Sequence, residues 1–191
     1  MGSSLRVTVF QLSPLQSNCY IVSHGREALV IDPGWPEGVD RILDYVDSAG
    51  YRIGLIVATH GHFDHVMGVD AVKEATGAKF AIHHLDVELI NRSARIAREL
   101  LGLNAKPPEP DDTLTEGETI TVGGERLEVI HTPGHTRGSI VLAGHRIAFT
   151  GDTIFKGTIG RVDLPESSPE DMERSLAKIL RLHPKTTLYP G

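Results

Sequence analysis

Four side chains able to ligate a metal stand within six residues in the segment Thr59-His60-Gly61-His62-Phe63-Asp64-His65. The run before it, Leu55 to Ala58, is short and apolar, as in a buried strand. A loop leaving a buried strand can aim several side chains at one point. Imidazole and carboxylate are also the ligands that borderline cations such as zinc prefer. At the chain's own His and Asp frequencies, the pattern H-x-H-x-D-H arises by chance on the order of once per thousand such chains. The alternative, a polar loop of separately satisfied histidines, needs its own hydrogen-bond partner for each ring.

Two later segments can reach the same sheet edge, because each follows a predicted strand: His131-Thr132-Pro133-Gly134-His135-Thr136 and Thr150-Gly151-Asp152. The chain has ten histidines, as many as Phe, Trp and Tyr together. His24, His145 and His183 are isolated and read as surface residues, and His83 and His84, after the apolar run Lys79 to Ile82, read as structural.

Strand patterns cover Leu5 to Phe10, Cys19 to Ser23 and Ala28 to Ile31, followed by a helix from Pro36 to Ala49 that carries Val39, Ile42, Leu43 and Val46 on one face. Helical character returns over Val66 to Thr76, with Asp64 at the expected N-cap, and over Leu85 to Leu101. Asn104 to Asp112, rich in Pro and acid, reads as a surface loop joining two halves. Beyond it lie short strands at Thr119 to Val122, Arg126 to Ile130, Ser139 to Ala143 and Ile147 to Phe149, a helix from Pro169 to Leu182, and a last strand from Thr186 to Tyr189. A meander, helices, a second meander and a helix predict two β-sheets packed face to face with helices outside.

The 191 residues fit one domain, 1–191, and 40% hydrophobic with 23% charged residues is ordinary globular composition without a membrane-spanning run. A formal charge of -6 offers no basic footprint for nucleic acid. Cys19 has no cysteine partner, and Met1 to Pro14 lacks the apolar core of a signal peptide, so the expectation is a cytoplasmic protein. Its expected partner is a small-molecule substrate, with neither nucleic acid nor membrane, and oligomeric state is left open.

The H-x-H-x-D-H loop, later histidine and later aspartate, in this order, resemble the metallo-β-lactamase superfold over nearly the whole chain. The resemblance implies an α/β fold, an αββα four-layer sandwich of two mixed β-sheets. It implies that His60, His62 and His135 hold one metal, that Asp64 and His65 form part of a second site, and that Asp152 bridges the two. Asp32, in the turn Ile31-Asp32-Pro33-Gly34, would brace the metal loop, and His131 would stand behind the ligands or serve structure. Cys19 matches no ligand position. Two divalent ions are expected, zinc first, with iron or manganese as alternatives. Leu188-Tyr189-Pro190-Gly191 resembles the segment leading to one further metal histidine, so the expectation is a domain lacking its C-terminal end and a second site that is incomplete.

Gly151-Asp152-Thr153-Ile154-Phe155 followed by Gly160-Arg161-Val162-Asp163 looks like the glyoxalase II group of thioester hydrolases. A metal pair sharing a carboxylate lowers the pKa of a trapped water towards neutrality and polarises the carbonyl under attack, while Asp64 orients that water as the catalytic carboxylate. The expected activity is hydrolysis of a thioester or related ester. Arg161 is a candidate for meeting an acidic substrate or for pairing with Asp163. Glutathione specificity is doubtful, since no residues remain for the helical domain that binds glutathione in that group. Rival readings are an iron-dependent persulfide dioxygenase of the same superfold, a nuclease, and a non-catalytic metal-binding module.

Overall fold

Strand β2 (Asn18–His24) is buried at five consecutive positions, Cys19 to Ser23. A strand meets that condition only when both faces of its sheet are covered. In the computed structural model, which describes residues 5–104 and 106–191, β2 lies inside a six-stranded sheet. Its other strands, in chain order, are β1 (Arg6–Gln11), β3 (Glu27–Ile31), β4 (Arg52–Ala58), β5 (Lys79–His83) and β6 (Asp112–Leu114). The first three strands pair antiparallel, and β3 to β6 run parallel.

The second sheet holds β7 (Thr119–Val122), β8 (Glu125–His131), β9 (Ile140–Gly144), β10 (Ile147–Gly151) and the late strand β13 (Thr187–Pro190). The first four form an antiparallel meander, and β13 pairs parallel with β10. A short hairpin, β11 (Ile154–Phe155) and β12 (Thr158–Ile159), follows β10.

One core lies between the sheets, where Val22, Leu29, Ile31 and Val57 meet Leu127, Val129, Leu142 and Phe149. The outer face of the first sheet packs Ile21, Val30, Ile56 and Phe80 beneath α1 (Val39–Ala49), α3 (Val69–Thr76) and α4 (Val87–Leu101), which contribute Ile42, Val72 and Ile90. The outer face of the second sheet packs Val141 and Ala148 against Ile179 of α5 (Pro169–Ile179). The order is therefore helices, sheet, sheet, helix, the four-layer sandwich expected. Helix α5 begins as its sequence dictates, with Pro169 in the first turn and Ser168 Oγ accepting from Asp171 N at 3.2 Å. No helix among the described residues is long and apolar enough to cross a membrane.

Three local expectations are corrected. The helix predicted over Val66 to Thr76 is two helices, α2 (Phe63–Val66) and α3, broken at Gly68. There the Gly68 N–H donates to the Pro33 carbonyl at 2.8 Å, and a Cβ would stand 2.5 Å from that oxygen, so only glycine fits. Asp64 is not the N-cap: His62 holds that position without a side-chain bond to the helix, and Asp64 lies within the first turn. The loop before Asp112 does not separate the halves, because β6 follows it and pairs with β5 in the first sheet.

The strand ends assemble the site. The loop after β4 carries His60 to His65, that after β8 carries His135, and β10 leads to Asp152. Ile140 N donates to the Thr59 carbonyl at 2.9 Å, joining the two sheets at this edge.

Candidate metal centre

The site is founded on a buried carboxylate. Asp32 follows β3 in the left-handed region, at φ 54°, which aspartate tolerates better than most residues. Its Oδ1 accepts from Thr59 N at 2.7 Å, and its Oδ2 accepts from Thr59 Oγ1 at 2.7 Å and from His65 Nδ1 at 3.0 Å. Two residues on, Gly34 lies against the helix of the metal loop, where a Cβ would be 1.5 Å from the Asp64 carbonyl oxygen. The turn at Asp32 thus fixes the loop by side chain and by backbone.

Each imidazole is oriented by a partner on its outer side. Thr59 Oγ1 gives its proton to Asp32, so at 3.2 Å it accepts one from His60 Nδ1. His62 Nε2 donates to Glu166 Oε1 at 2.7 Å, His65 Nδ1 to Asp32, and His135 Nδ1 to the Arg161 carbonyl at 3.0 Å. These bonds place a proton on the outer nitrogen of each ring and turn the other nitrogen inward. The inward atoms crowd one another. His62 Nδ1 is 3.0 Å from His135 Nε2, and His65 Nε2 is 3.6 Å from Asp64 Oδ2 and 3.5 Å from Asp152 Oδ1. His135 Nε2 is 3.5 Å from Asp152 Oδ2. His60 Nε2 and Asp152 Oδ1 are buried without any hydrogen-bond partner.

Ligand atoms of His60, His62 and His135 lie within 4.8 Å of one another, as do those of His60, His65 and Asp152. Acceptors facing acceptors in a buried place are costly unless a cation lies between them. The donor set therefore fits one or two divalent ions of the kind that take imidazole and carboxylate. Asp64 stands beside the second group, with its Oδ2 accepting from Ser17 Oγ at 2.5 Å.

Electrostatics point the same way. Burial and the neighbouring rings of His65, His62 and His135 hold His60 well below the usual histidine range. Burial also opposes charge on His65, but Asp64, Asp32 and Asp152 outweigh it and raise its pKa to about 10. Burial raises the Asp64 pKa, yet His65 and the Ser17 hydroxyl bring the net value below the ordinary one. The three carboxylates thus favour positive charge at His65, and a metal cation would take the place of the proton there.

Sequence reasoning missed two supports. Asp86, buried, accepts from Gly61 N at 2.9 Å, Thr136 Oγ1 at 2.7 Å and Gly138 N at 2.6 Å, tying the His60 loop to the His135 loop. Glu166 bonds His62 and also receives Arg92 Nη2 of α4 at 2.5 Å, and its pKa is lowered chiefly by the His62 bond. Neither acid stands in a recognisable motif.

Two candidate residues take the structural one of the two roles expected of them. His131 stacks on His83, with ring centroids 4.2 Å apart, and its Nε2 donates to the Arg137 carbonyl at 2.8 Å, so its ring serves the loop rather than the ligands. The Arg161 guanidinium is exposed and grips Asp163 at 2.9 and 3.0 Å, although the residue lines the cavity at the site. Its backbone carbonyl, which orients His135, is the part that reaches the cluster.

Comparison with known proteins agrees with this architecture. The profile of the Metallo-beta-lactamase superfamily matches residues 12–191. An uncharacterized protein of Aquifex aeolicus is 37% identical over 95% of this chain and 86% of its own. The hydroxyacylglutathione hydrolase GloC of Haemophilus influenzae is 28% identical over 98% of this chain and 90% of its own. Among solved structures, TTHA1623 in a di-iron-bound form superposes with a TM-score of 0.86 at 35% identity, covering 97% of this chain and 91% of that one. With the four-layer fold, the inward-facing ligands and a match across most of the sequence, this chain belongs to the metallo-beta-lactamase superfamily.

Proposed function

We propose that the protein is a metal-dependent hydrolase of a small-molecule thioester or related ester, with chemistry like that of glyoxalase II. The observation that carries this reading is the set of inward-facing nitrogens of His60, His62, His65 and His135 beside Asp64 and Asp152, opening onto a cavity of ≈ 430 Å³. The cavity has the size of a small-molecule site. Similarity to GloC of Haemophilus influenzae supports the choice of thioester.

His60, His62 and His135 would hold one ion, and His65, Asp152 and Asp64 a second, with zinc as the first candidate. When bound, such ions polarise the carbonyl under attack and bring the pKa of a water near neutrality. The protein's part is orientation. Asp64, ionised and held by Ser17 Oγ, accepts a hydrogen bond from the attacking water and fixes its direction. Glu166 and the Arg161 carbonyl keep the His62 and His135 rings from rotating. Phe63 and Leu164 wall the cavity and limit water around the scissile bond.

A second reading, an iron-dependent persulfide dioxygenase, is favoured by the His60, His65 and Asp152 group, two imidazoles with one carboxylate. The di-iron-bound form of TTHA1623 lends it support. Metal analysis of protein purified without added metal, with parallel assays of thioester cleavage and of oxygen uptake on glutathione persulfide, separates the two. Thioester cleavage without oxygen uptake is expected, and oxygen uptake dependent on iron would overturn the hydrolase.

A further inference from the structure

The cavity beside the candidate ligands is lined by two chemically distinct sets of residues. His62, Asp64, His135 and Asp152 supply polar lining; Phe63, Leu89, Ile96, Leu100, Leu164 and Pro165 supply apolar lining. Ile96 and Leu100 lie one turn apart on α4, outside the three cores, and are 39% and 76% exposed. Among the described residues two guanidiniums line this cavity, and each already holds a carboxylate of the chain. Arg92 Nη2 is 2.5 Å from Glu166 Oε2, and Arg161 grips Asp163 with two bonds of 2.9 and 3.0 Å. A substrate carboxylate would compete with these partners for charge already balanced, and Asp64, Asp152 and Glu166, which line the same cavity, would repel it. An uncharged hydrocarbon chain meets no such competition and gains by covering Ile96 and Leu100.

Resting on the hydrolase reading, we infer that the apolar strip of α4 seats an uncharged aliphatic acyl chain. The substrates would then be aliphatic acyl thioesters, selected by chain length rather than by carboxylates on the thiol. The strip and the candidate ligands line one cavity, so an acyl chain whose carbonyl is held at the ligands can cover Phe63, Ile96 and Leu100.

The test uses the metal-loaded protein and ketone analogues of N-acetylcysteamine thioesters, in which a methylene replaces sulfur so that nothing is cleaved. Calorimetry across butanoyl, hexanoyl and octanoyl analogues is expected to show affinity rising about threefold per methylene. A carboxylate-terminated analogue of equal length is expected to bind more weakly. Ile96→Asp and, at the more exposed position, Leu100→Asp are expected to flatten the slope, with folding checked by circular dichroism. Equal affinity across the series, tighter binding of the carboxylate analogue, or an unchanged slope in both folded variants would overturn the inference. Turnover of the matching thioesters is measured separately. Graded binding without turnover supports the strip and refutes the hydrolase, whereas cleavage of every chain length with equal KM supports the hydrolase and refutes the strip.

Discussion

His62 Nδ1 faces His135 Nε2 at 3.0 Å, and when each neutral ring gives its proton to its outer partner, neither nitrogen has one to give the other. Their protons lie on the far sides of the rings, towards Glu166 and the Arg161 carbonyl. Two lone pairs at this distance repel, and a cation shared between them turns the repulsion into ligation. The fold thus holds the neutral rings in a geometry that a bound cation makes favourable.

Glu166 is therefore expected to matter for metal affinity. Glu166→Ala removes the acceptor that fixes His62, and the affinity for zinc should fall by about 10- to 100-fold. Competition against a chromophoric chelator measures it, and an unchanged affinity would show that His62 is held by its backbone alone.

Asp64→Asn keeps the shape of the side chain and its acceptance from Ser17 while removing charge. Hydrolysis is expected to drop by about 100-fold or more with the far-ultraviolet circular dichroism unchanged. Full turnover in that variant would exclude the carboxylate from orienting the water.

Asp86→Ala tests the brace between the two histidine loops. Three buried donors, Gly61 N, Gly138 N and Thr136 Oγ1, would lose their acceptor, and the expected loss of stability is about 3 kcal/mol. Urea unfolding measures it, and a loss below about 1 kcal/mol would show that water replaces the carboxylate without penalty.

How much of this was readable in the sequence follows from how far apart the partners are. His60, His62, Asp64 and His65 stand together, and His135 and Asp152 each follow a strand with a recognisable turn, so the grouping of these side chains was legible. Glu166 acts on a residue 104 positions away, and Asp86 reaches 25, 50 and 52 positions along the chain. Neither carries a local pattern, because its acceptor role exists only once the two sheets are packed. The break between α2 and α3 was hidden for the same reason, since Gly68 is required by the Pro33 carbonyl and not by helical periodicity.

The His83 and His131 stack predicts a pH response of the fold. Burial, followed by the neighbouring rings of His131 and His84, lowers the His83 pKa from 6.5 to about 4. Between these values the unfolded chain binds a proton that the folded chain refuses. The stabilisation from neutral His83 is therefore complete above the unfolded value and is lost as pH falls towards 4. At most about 3 kcal/mol is at stake. Urea midpoints of the parent and of His83→Gln between neutral and acid pH measure the effect. The parent should weaken more steeply on acidification, and parallel curves would contradict the assignment.

The central claim is that the inward nitrogens of His60, His62 and His135 hold a cation. Titration of metal-depleted protein with zinc, with bound ions counted and the zinc environment read by X-ray absorption, tests it most directly. The account predicts at least one tightly held ion in an imidazole-rich shell at about 2.0 to 2.1 Å. Binding of no ion, or a shell of oxygen atoms without imidazole, would contradict it.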